Sequence, residues 1–470
     1  MYVEQIYTGC LSEASYYIED NGEAVIIDPM RDLDNYLGLA KDRNATIKYI
    51  FETHFHADFV SGHLDLSKAT GAPIVYGPDA KPNFKAIIAK DHQTFPIGNI
   101  SLEVLHTPGH TLESTCYLLK DADGKEYAVF TGDTLFVGDV GRPDLSQKGE
   151  LYTPEDLAGL MYDSLHAKIF PLQDDVIVYP AHGAGSSCGK SLSSKTFSTV
   201  GEQKETNYAL LSKSRGEFIS NVTDGLSTPP AYFPINAEIN KKGYASLDSV
   251  LENALQALDV DSFEVKSKEE NVIILDTRNE SDFTDGFIPT SIFIGLNGRF
   301  AEWAGSLLPF DATLLLVTDE GKEKETATRL ARVGFEKFGG YLKGGFDAWK
   351  NAGKQIDLVV NIPADEVAMD YQFDDNLIIL DVRKESEYAE GHVVKADNIP
   401  LDKLIDPAGY LADMEELFNV YLHCAGGYRS VIAASLIKRQ GFHNIHNILG
   451  GYAALKETKI PTEKSKSVLN

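Results

Sequence analysis

Cysteine is scarce in this chain: four residues, Cys10, Cys116, Cys188 and Cys424, among 470. So few thiols cannot build the disulfide framework of a small secreted domain, and no Cys-x-x-Cys pair suggests structural zinc. Each thiol is judged by its own neighbours. Basic charge is also short, with 43 Lys and Arg against 70 Asp and Glu and a formal charge of -27. A field of that sign repels phosphate backbones and anionic membranes, so neither nucleic acid nor a membrane is expected as a partner. Long apolar runs are missing too, since nowhere do about 18 apolar residues come together. The opening MYVEQIYTGCLSEASYYIED has neither a basic stretch nor an unbroken apolar one, so it does not read as a targeting segment. A soluble, cytoplasmic chain is expected, and a homo-oligomer.

A soft prior of roughly 150 residues per domain makes this chain about three domains long. From the start to about residue 185, short β-rich runs (EAVIID, IKYIFET, APIVYG, ISLEVLHTP, YAVFTGD, DVIVYPAHG) alternate with helical stretches and Gly/Pro/Asp turns, which predicts a layered α/β domain. Several runs end directly in His or Asp: His54, His110, Asp133 and His182. Strand ends are where loops gather around a site. A polar arm follows, ending at Pro229-Pro230, Tyr232 and Phe233.

Beyond it the sequence repeats. ILDTRNESDFTDGFIPTSIFIGL from Ile274 aligns with ILDVRKESEYAEGHVVKADNIPL from Ile379, an offset of 105 residues that pairs Asp276 with Asp381, Arg278 with Arg383 and Gly286 with Gly391. Gly344-Gly345-Phe346 recurs as Gly450-Gly451-Tyr452. Two copies of this length make a duplicated globular domain, and each reads as an α/β unit. The expected domains are 1–245, 246–356 and 357–470.

In Thr53-His-Phe-His-Ala-Asp-Phe-Val-Ser-Gly-His63, two histidines spaced one apart, with an acid two further on, aim a strand end at one centre. His110 and Asp133 join it from other strand ends, each in a Gly-containing turn, as a metal site requires. These residues resemble the metallo-β-lactamase superfamily, whose H-x-H-x-D-H motif precedes a lone His, a lone Asp and a late His. The matching residues are His54, His56, Asp58, His110, Asp133 and His182. Phe59 stands where two-metal members carry the motif's last His, which argues against a two-metal hydrolase; His63, the alternative, lies four residues further on, a helical turn away. The resemblance implies an αββα sandwich. The H-A-D, P-G-H-T and T-G-D-T-L-F segments resemble the persulfide dioxygenase branch, which implies one Fe(II) on His54, His110 and Asp133, the facial triad of non-haem iron oxygenases. His56, Asp58 and His182 would then orient ligands or water. Zinc on His54, His56 and His110 is the alternative.

Arg142, in V-G-D-V-G-R-P-D, is a candidate for binding an anionic product such as sulfite, or is a solvated turn residue. Ala184–Ser191 (AGSSCGKS) satisfies a relaxed phosphate-loop pattern, but its first position is Ala and it adjoins His182, so nucleotide binding is set aside. Cys188 lies in that segment beside Lys190. A nearby cation lowers a thiol pKa, so Cys188 is a candidate persulfide relay; an inert small residue is the alternative. Cys10 and Cys116 sit in apolar surroundings and read as core.

Near the C-terminus FNVYLH runs into Cys424-Ala425-Gly426-Gly427-Tyr428-Arg429-Ser430, and a helical pattern follows. Gly426 and Gly427 let backbone N–H groups turn inward into an anion cradle at a helix N-terminus, where a thiolate or persulfide on Cys424 is stabilised and Arg429 adds positive charge. The loop resembles the rhodanese active site. The first copy has V-T-D-E-G-K-E instead, with no Cys or Arg and acids around Asp319, and is expected to be catalytically silent.

The resemblances together imply an iron-dependent persulfide dioxygenase that turns a low-molecular-weight or protein persulfide and O2 into sulfite. It would be fused to two rhodanese-like domains, the last of which makes or uses thiosulfate at Cys424 in sulfide detoxification. Tethering two modules raises the effective concentration of a shared intermediate. The alternatives are a glyoxalase-II-like zinc thioester hydrolase and a non-catalytic persulfide carrier or sensor.

Overall fold

The strand Glu13–Asp20, EASYYIED, is buried at every residue but the last, which requires cover on both faces of its sheet. In the computed structural model, which describes residues 1–145, 152–226, 228–374, 377–405 and 419–464, that cover comes from two sources. Tyr16 and Ile18 point inward onto a second sheet, meeting Tyr117, Leu119 and Phe130. Tyr17 points outward with Ile26 and Ile50 onto Tyr36, Ala40 and Leu66 of flanking helices. The chain groups into two units, Met1–Ser249 with Thr328–Glu336, and Val250–Ala327 with Lys337–Asn470.

The first unit is a four-layer αββα sandwich, as the resemblance implies. One six-stranded sheet runs Tyr2–Thr8, Glu13–Asp20, Glu23–Ile27, Thr46–Glu52, Ile74–Tyr76, Ile87–Ile88; the other runs Ser198–Thr199, Ile177–Pro180, Glu126–Gly132, Thr115–Lys120, Ile100–His106, Thr94–Ile97. Helices Asp34–Asp42 and His63–Thr70 cover the first sheet. Pro154–Ser164 and Arg215–Thr223 cover the second through Met161, Phe218 and Val222. Thr153 starts the helix Pro154–Ser164 with a capping box to Asp156, satisfying N–H groups that have no partner inside the helix.

The second unit holds the repeat. Each copy is a five-stranded parallel sheet of the same order: Ala257–Leu258, Phe338–Leu342, Thr313–Val317, Val272–Asp276, Ile292–Phe293, and Val360–Ile362, Ile445–Ile448, Asn419–His423, Leu377–Asp381, Asp397–Asn398. Phe418, expected to begin the strand before Cys424, lies outside the described residues. The aligned residues form one motif made twice. Arg278 bonds Asp276 and the Gly286 carbonyl (2.8 Å), and its guanidinium lies over Phe346. Arg383 bonds Asp381 and the Gly391 carbonyl (2.7 Å), and lies over Tyr452. A buried arginine held by a carboxylate, a carbonyl and an aromatic face fixes the turn between strand and helix.

Candidate metal centre and sulfur loop

His54, His110, Asp133 and His182 each follow the C-terminal end of a strand, and all are at most 2% exposed. Backbone bonds join the strand ends: Thr115 N–H to the Thr53 carbonyl across the sandwich, and Ala181 N–H to the Gly132 carbonyl between neighbouring strands of one sheet. Gly132 has φ +51°, and a Cβ there would lie 2.6 Å from Thr53 Oγ1. Only glycine lets Asp133 come this close to His54.

The donor atoms of His54, His110 and Asp133 lie within 4.8 Å of one another. Their hydrogen bonds set the tautomers. His110 Nδ1 is 2.8 Å from the Arg142 carbonyl, which can only accept, so Nδ1 carries the proton and Nε2 faces Asp133 at 3.4 Å. The Thr53 hydroxyl donates to Asp28 (2.9 Å) and therefore accepts from His54 Nδ1 (2.9 Å), leaving His54 Nε2 toward Asp133. His182 donates from Nδ1 to the Ser12 carbonyl (3.2 Å) and turns Nε2 to Asp58 and Asp133, 3.4 Å from each. Both oxygens of Asp133, one of Asp58 and Nε2 of His182 are buried without a hydrogen-bond partner. Unpaired buried acceptors converging on one focus are costly unless a cation neutralises them. These residues fit a metal ion.

His56 is turned elsewhere. Its Nε2 lies 3.1 Å from Asp28 and 3.6 Å from Glu52, and its ring packs on the fully buried Phe59 at 4.4 Å between centroids. Burial opposes a cation on His56, yet Asp28 and Glu52 outweigh it and raise its pKa to about 9. Burial, with the rings of His56, His110 and His182 nearby, instead holds His54 well below the imidazole range. Burial thus favours the neutral form of His54, whereas the acids beside His56 favour its charged form. His63 stacks on Phe84 and faces Glu52 at 3.4 Å, so it does not replace the residue lost at Phe59.

Asp28, Glu52 and Glu13 were not singled out in the sequence. Asp28 carried the same signal as the histidines, an apolar strand run ending in a ligand-type residue. It sits at φ +51°, a conformation uncommon outside glycine that fits a position fixed by its surroundings.

In the second unit the helix Tyr428–Arg439 starts directly after the Cys424 loop. Gly427 N–H donates to Cys424 Sγ (3.1 Å), and Ser430 Oγ is 3.8 Å away. Gly451 holds the loop from beneath: Tyr452 N–H donates to the Cys424 carbonyl (2.7 Å), and a Cβ on Gly451 would lie 2.4 Å from that carbonyl oxygen. The repeated Gly-Gly-aromatic motif is therefore the floor of the sulfur loop.

The model of the metallo-beta-lactamase superfamily matches residues 8–182, and that of the rhodanese-like domain matches residues 259–352 and 365–458. A solved metallo-beta-lactamase from Staphylococcus aureus is 32% identical and covers 73% of this chain and 98% of its own, with TM-score 0.64. The chain belongs to the metallo-beta-lactamase superfamily. This superfamily member carries tandem rhodanese-like domains behind its metal-binding unit. It is also similar to a probable hydroxyacylglutathione hydrolase of Schizosaccharomyces pombe, 34% identical over 170 residues, 35% of this chain. It spans 60% of that relative's length. The solved ETHE1 of Myxococcus xanthus is 30% identical over 51% of this chain and all of its own, with TM-score 0.43.

Two sequence expectations for this superfamily member need correction. Arg142 is not an anion receptor: it is 3% exposed, its guanidinium grips Asp144 (2.6 and 2.8 Å) and the Ser187 carbonyl (3.2 Å), and its own carbonyl orients His110. Lys190 does not acidify Cys188, because its ammonium is bonded to the carbonyls of Asn221 and Asp224. Burial, with Asp58 and Asp133 adding to it, pushes the Cys188 thiol well up. Cys188 nevertheless stands within 4.8 Å of Asp58 and His182 donor atoms. Arg429 lines the cavity at Cys424, and Glu387 holds its guanidinium through two bonds of 2.6 and 2.8 Å. The first repeat has Thr318 in place of Cys424, and a pocket beside it is lined by Asp282, Asp319, Glu320 and Asp347 together with Arg278 and Lys350.

Proposed function

We propose that this protein is an iron-dependent persulfide dioxygenase coupled to a rhodanese sulfurtransferase. The observation that carries this reading is the division of the histidines. His54, His110 and Asp133 form one ligand set, while His56 is committed to Asp28 and Glu52 and Phe59 fills the place of a further ligand. Two His and one carboxylate with open positions suit non-haem Fe(II), which when bound supplies the redox chemistry with O2. The protein's own contribution is positional. Thr53 and the Arg142 carbonyl fix the rings of His54 and His110. His182 and Asp58 face the same focus from the other side, placed to orient a substrate or hold a proton. Burial of the whole cluster excludes bulk water. With O2 as oxidant and one water consumed, RS–SH would be returned as RSH and its outer sulfur would leave as sulfite with two protons, two sulfite oxygens coming from O2 and the third from that water. Cys424 then takes the sulfane sulfur of a second persulfide and passes it to sulfite as thiosulfate, or runs the reverse.

A second reading, a zinc thioester hydrolase, draws on the ligand-type group Asp58, His182 and Cys188 and on the name of the Schizosaccharomyces pombe relative. Metal analysis of protein purified without oxygen separates the two. About one iron per chain, with oxygen uptake that begins only when persulfide is added, supports the dioxygenase. A pair of zinc ions with thioester hydrolysis and no oxygen uptake overturns it.

A further inference from the structure

The Cys424 loop opens into a cavity of about 660 Å³, and three of its lining residues, Glu280, Arg299 and Trp303, come from the silent repeat. The contact is built, not incidental. Tyr428 of the sulfur loop donates its hydroxyl to the Gly295 carbonyl (2.7 Å). A Cβ on Gly295 would stand 3.2 Å from the Tyr428 ring, tighter than an ordinary contact. Phe293 N–H also donates to Ser435 Oγ (3.0 Å) on the helix that follows Cys424. The segment from Gly295 to Arg299 leads into the helix Phe300–Leu307, which carries Trp303 to the cavity wall.

A cavity of this volume falls in the range that holds organic ligands and far exceeds what inorganic thiosulfate needs. Its charged lining carries both signs: Arg299, which also pairs with Glu302, Lys384 and Glu280, together with Arg429 and Glu387 bonded to each other. A site for a small dianion needs only cations. Mixed charge beside an indole suits a molecule that bears both an ammonium and carboxylates on an organic frame. We propose that the silent repeat forms the organic-group subsite of the Cys424 pocket, with Trp303 and Arg299 selecting a zwitterionic, amino-acid-type thiol persulfide over thiosulfate. The proposal rests on the sulfurtransferase reading and adds the donor's class. In the transfer the Cys424 thiolate attacks the outer sulfur of RS–SH. The bond between the donor's two sulfurs breaks, RS⁻ leaves with the electron pair, and Cys424 becomes Cys–S–SH without net oxidation.

The test uses the full chain with cyanide as acceptor, reading thiocyanate, and compares glutathione persulfide with thiosulfate as donor. Trp303→Ala is expected to raise KM for glutathione persulfide about tenfold, equivalent to about 1.4 kcal/mol, while thiosulfate KM and both kcat values stay within about twofold; Arg299→Gln is expected to raise KM for glutathione persulfide more than KM for thiosulfate. Trp303→Phe, which keeps an aromatic face, should retain most of the affinity. Retained thiosulfate turnover reports an intact loop in every variant. Equal losses for both donors, or none for either, overturn the subsite. A parent protein that yields no thiocyanate from either donor, or a Cys424→Ser variant that still yields it, overturns the underlying sulfurtransferase reading instead.

Discussion

Thr53 coordinates nothing, yet it decides which nitrogen of His54 faces the metal centre, because its hydroxyl is already committed to Asp28. Thr53→Val keeps the shape and removes that lock. Metal affinity, followed by chelator competition, should fall roughly 10- to 100-fold, as loss of an orienting partner does; unchanged affinity would refute the role. Glu387 is the corresponding control on Cys424. The bond to Arg429, more than the charge attraction, holds the Glu387 carboxyl below its usual range. Its contribution to stability is therefore full above the unfolded pKa of about 4.3 and lost as pH falls through the lower folded value. Glu387→Gln should release the Arg429 charge toward Cys424 and move the acidic limb of the sulfur-transfer pH profile downward; an upward move would count against it. Residue identity was legible where a strand ran into His, Asp or Cys, hence His54, His110, Asp133, His182 and Cys424. Charge commitment was not. Arg429 finds its partner 42 positions away, and Lys190 turns to carbonyls beyond residue 220, so neither pairing leaves a local signal.

Among elements, the repeat was the best-marked feature, since Asp-x-Arg, the following Gly and the distant Gly-Gly-aromatic triplet all belong to one recurrent turn. What could not be read was the job of that triplet as the floor beneath the loop. Gly451 has φ +57° and its Cβ would meet the Cys424 carbonyl at 2.4 Å; Gly345 has φ +60° and would meet the Thr318 carbonyl at 3.1 Å. Both substitutions to Ala carry backbone strain of order 1–3 kcal/mol, but only at Gly451 must the sulfur loop itself move. Gly451→Ala should lower Tm and cut Cys424 transfer more than Gly345→Ala does. Thermal unfolding measured beside thiocyanate release checks both, and equal loss of transfer in the two variants would remove the loop from the explanation. The αββα layers were foreseen through the resemblance more than through pattern. Strands covered on both faces, such as Glu13–Asp20, lack the polar alternation that reports which side is core.

For the whole molecule, the proposed function would give one substrate class to two places: a buried acceptor cluster able to hold a metal, and a thiol cradled at a helix N-terminus. If sulfite made at the first is consumed at the second, removing one must change the product of the other without stopping it. Cys424→Ser lies outside the metal cluster and replaces one small side chain by another, so the metal-binding unit should keep its metal and its persulfide-dependent oxygen uptake. The terminal product should shift from thiosulfate to sulfite, read by ion chromatography of the reaction mixture. Effective concentration sets the size of the shift, because a tethered acceptor meets sulfite at a local level that free diffusion in dilute protein does not reach. Dilution should therefore lower the thiosulfate fraction of the parent protein only weakly, whereas a mixture of Cys424→Ser with Asp133→Asn, each supplying the half the other lacks, should lose thiosulfate steeply on dilution. If the mixture matches the parent at every concentration, the fusion gives no kinetic advantage, and the two activities are joined only by expression on one chain.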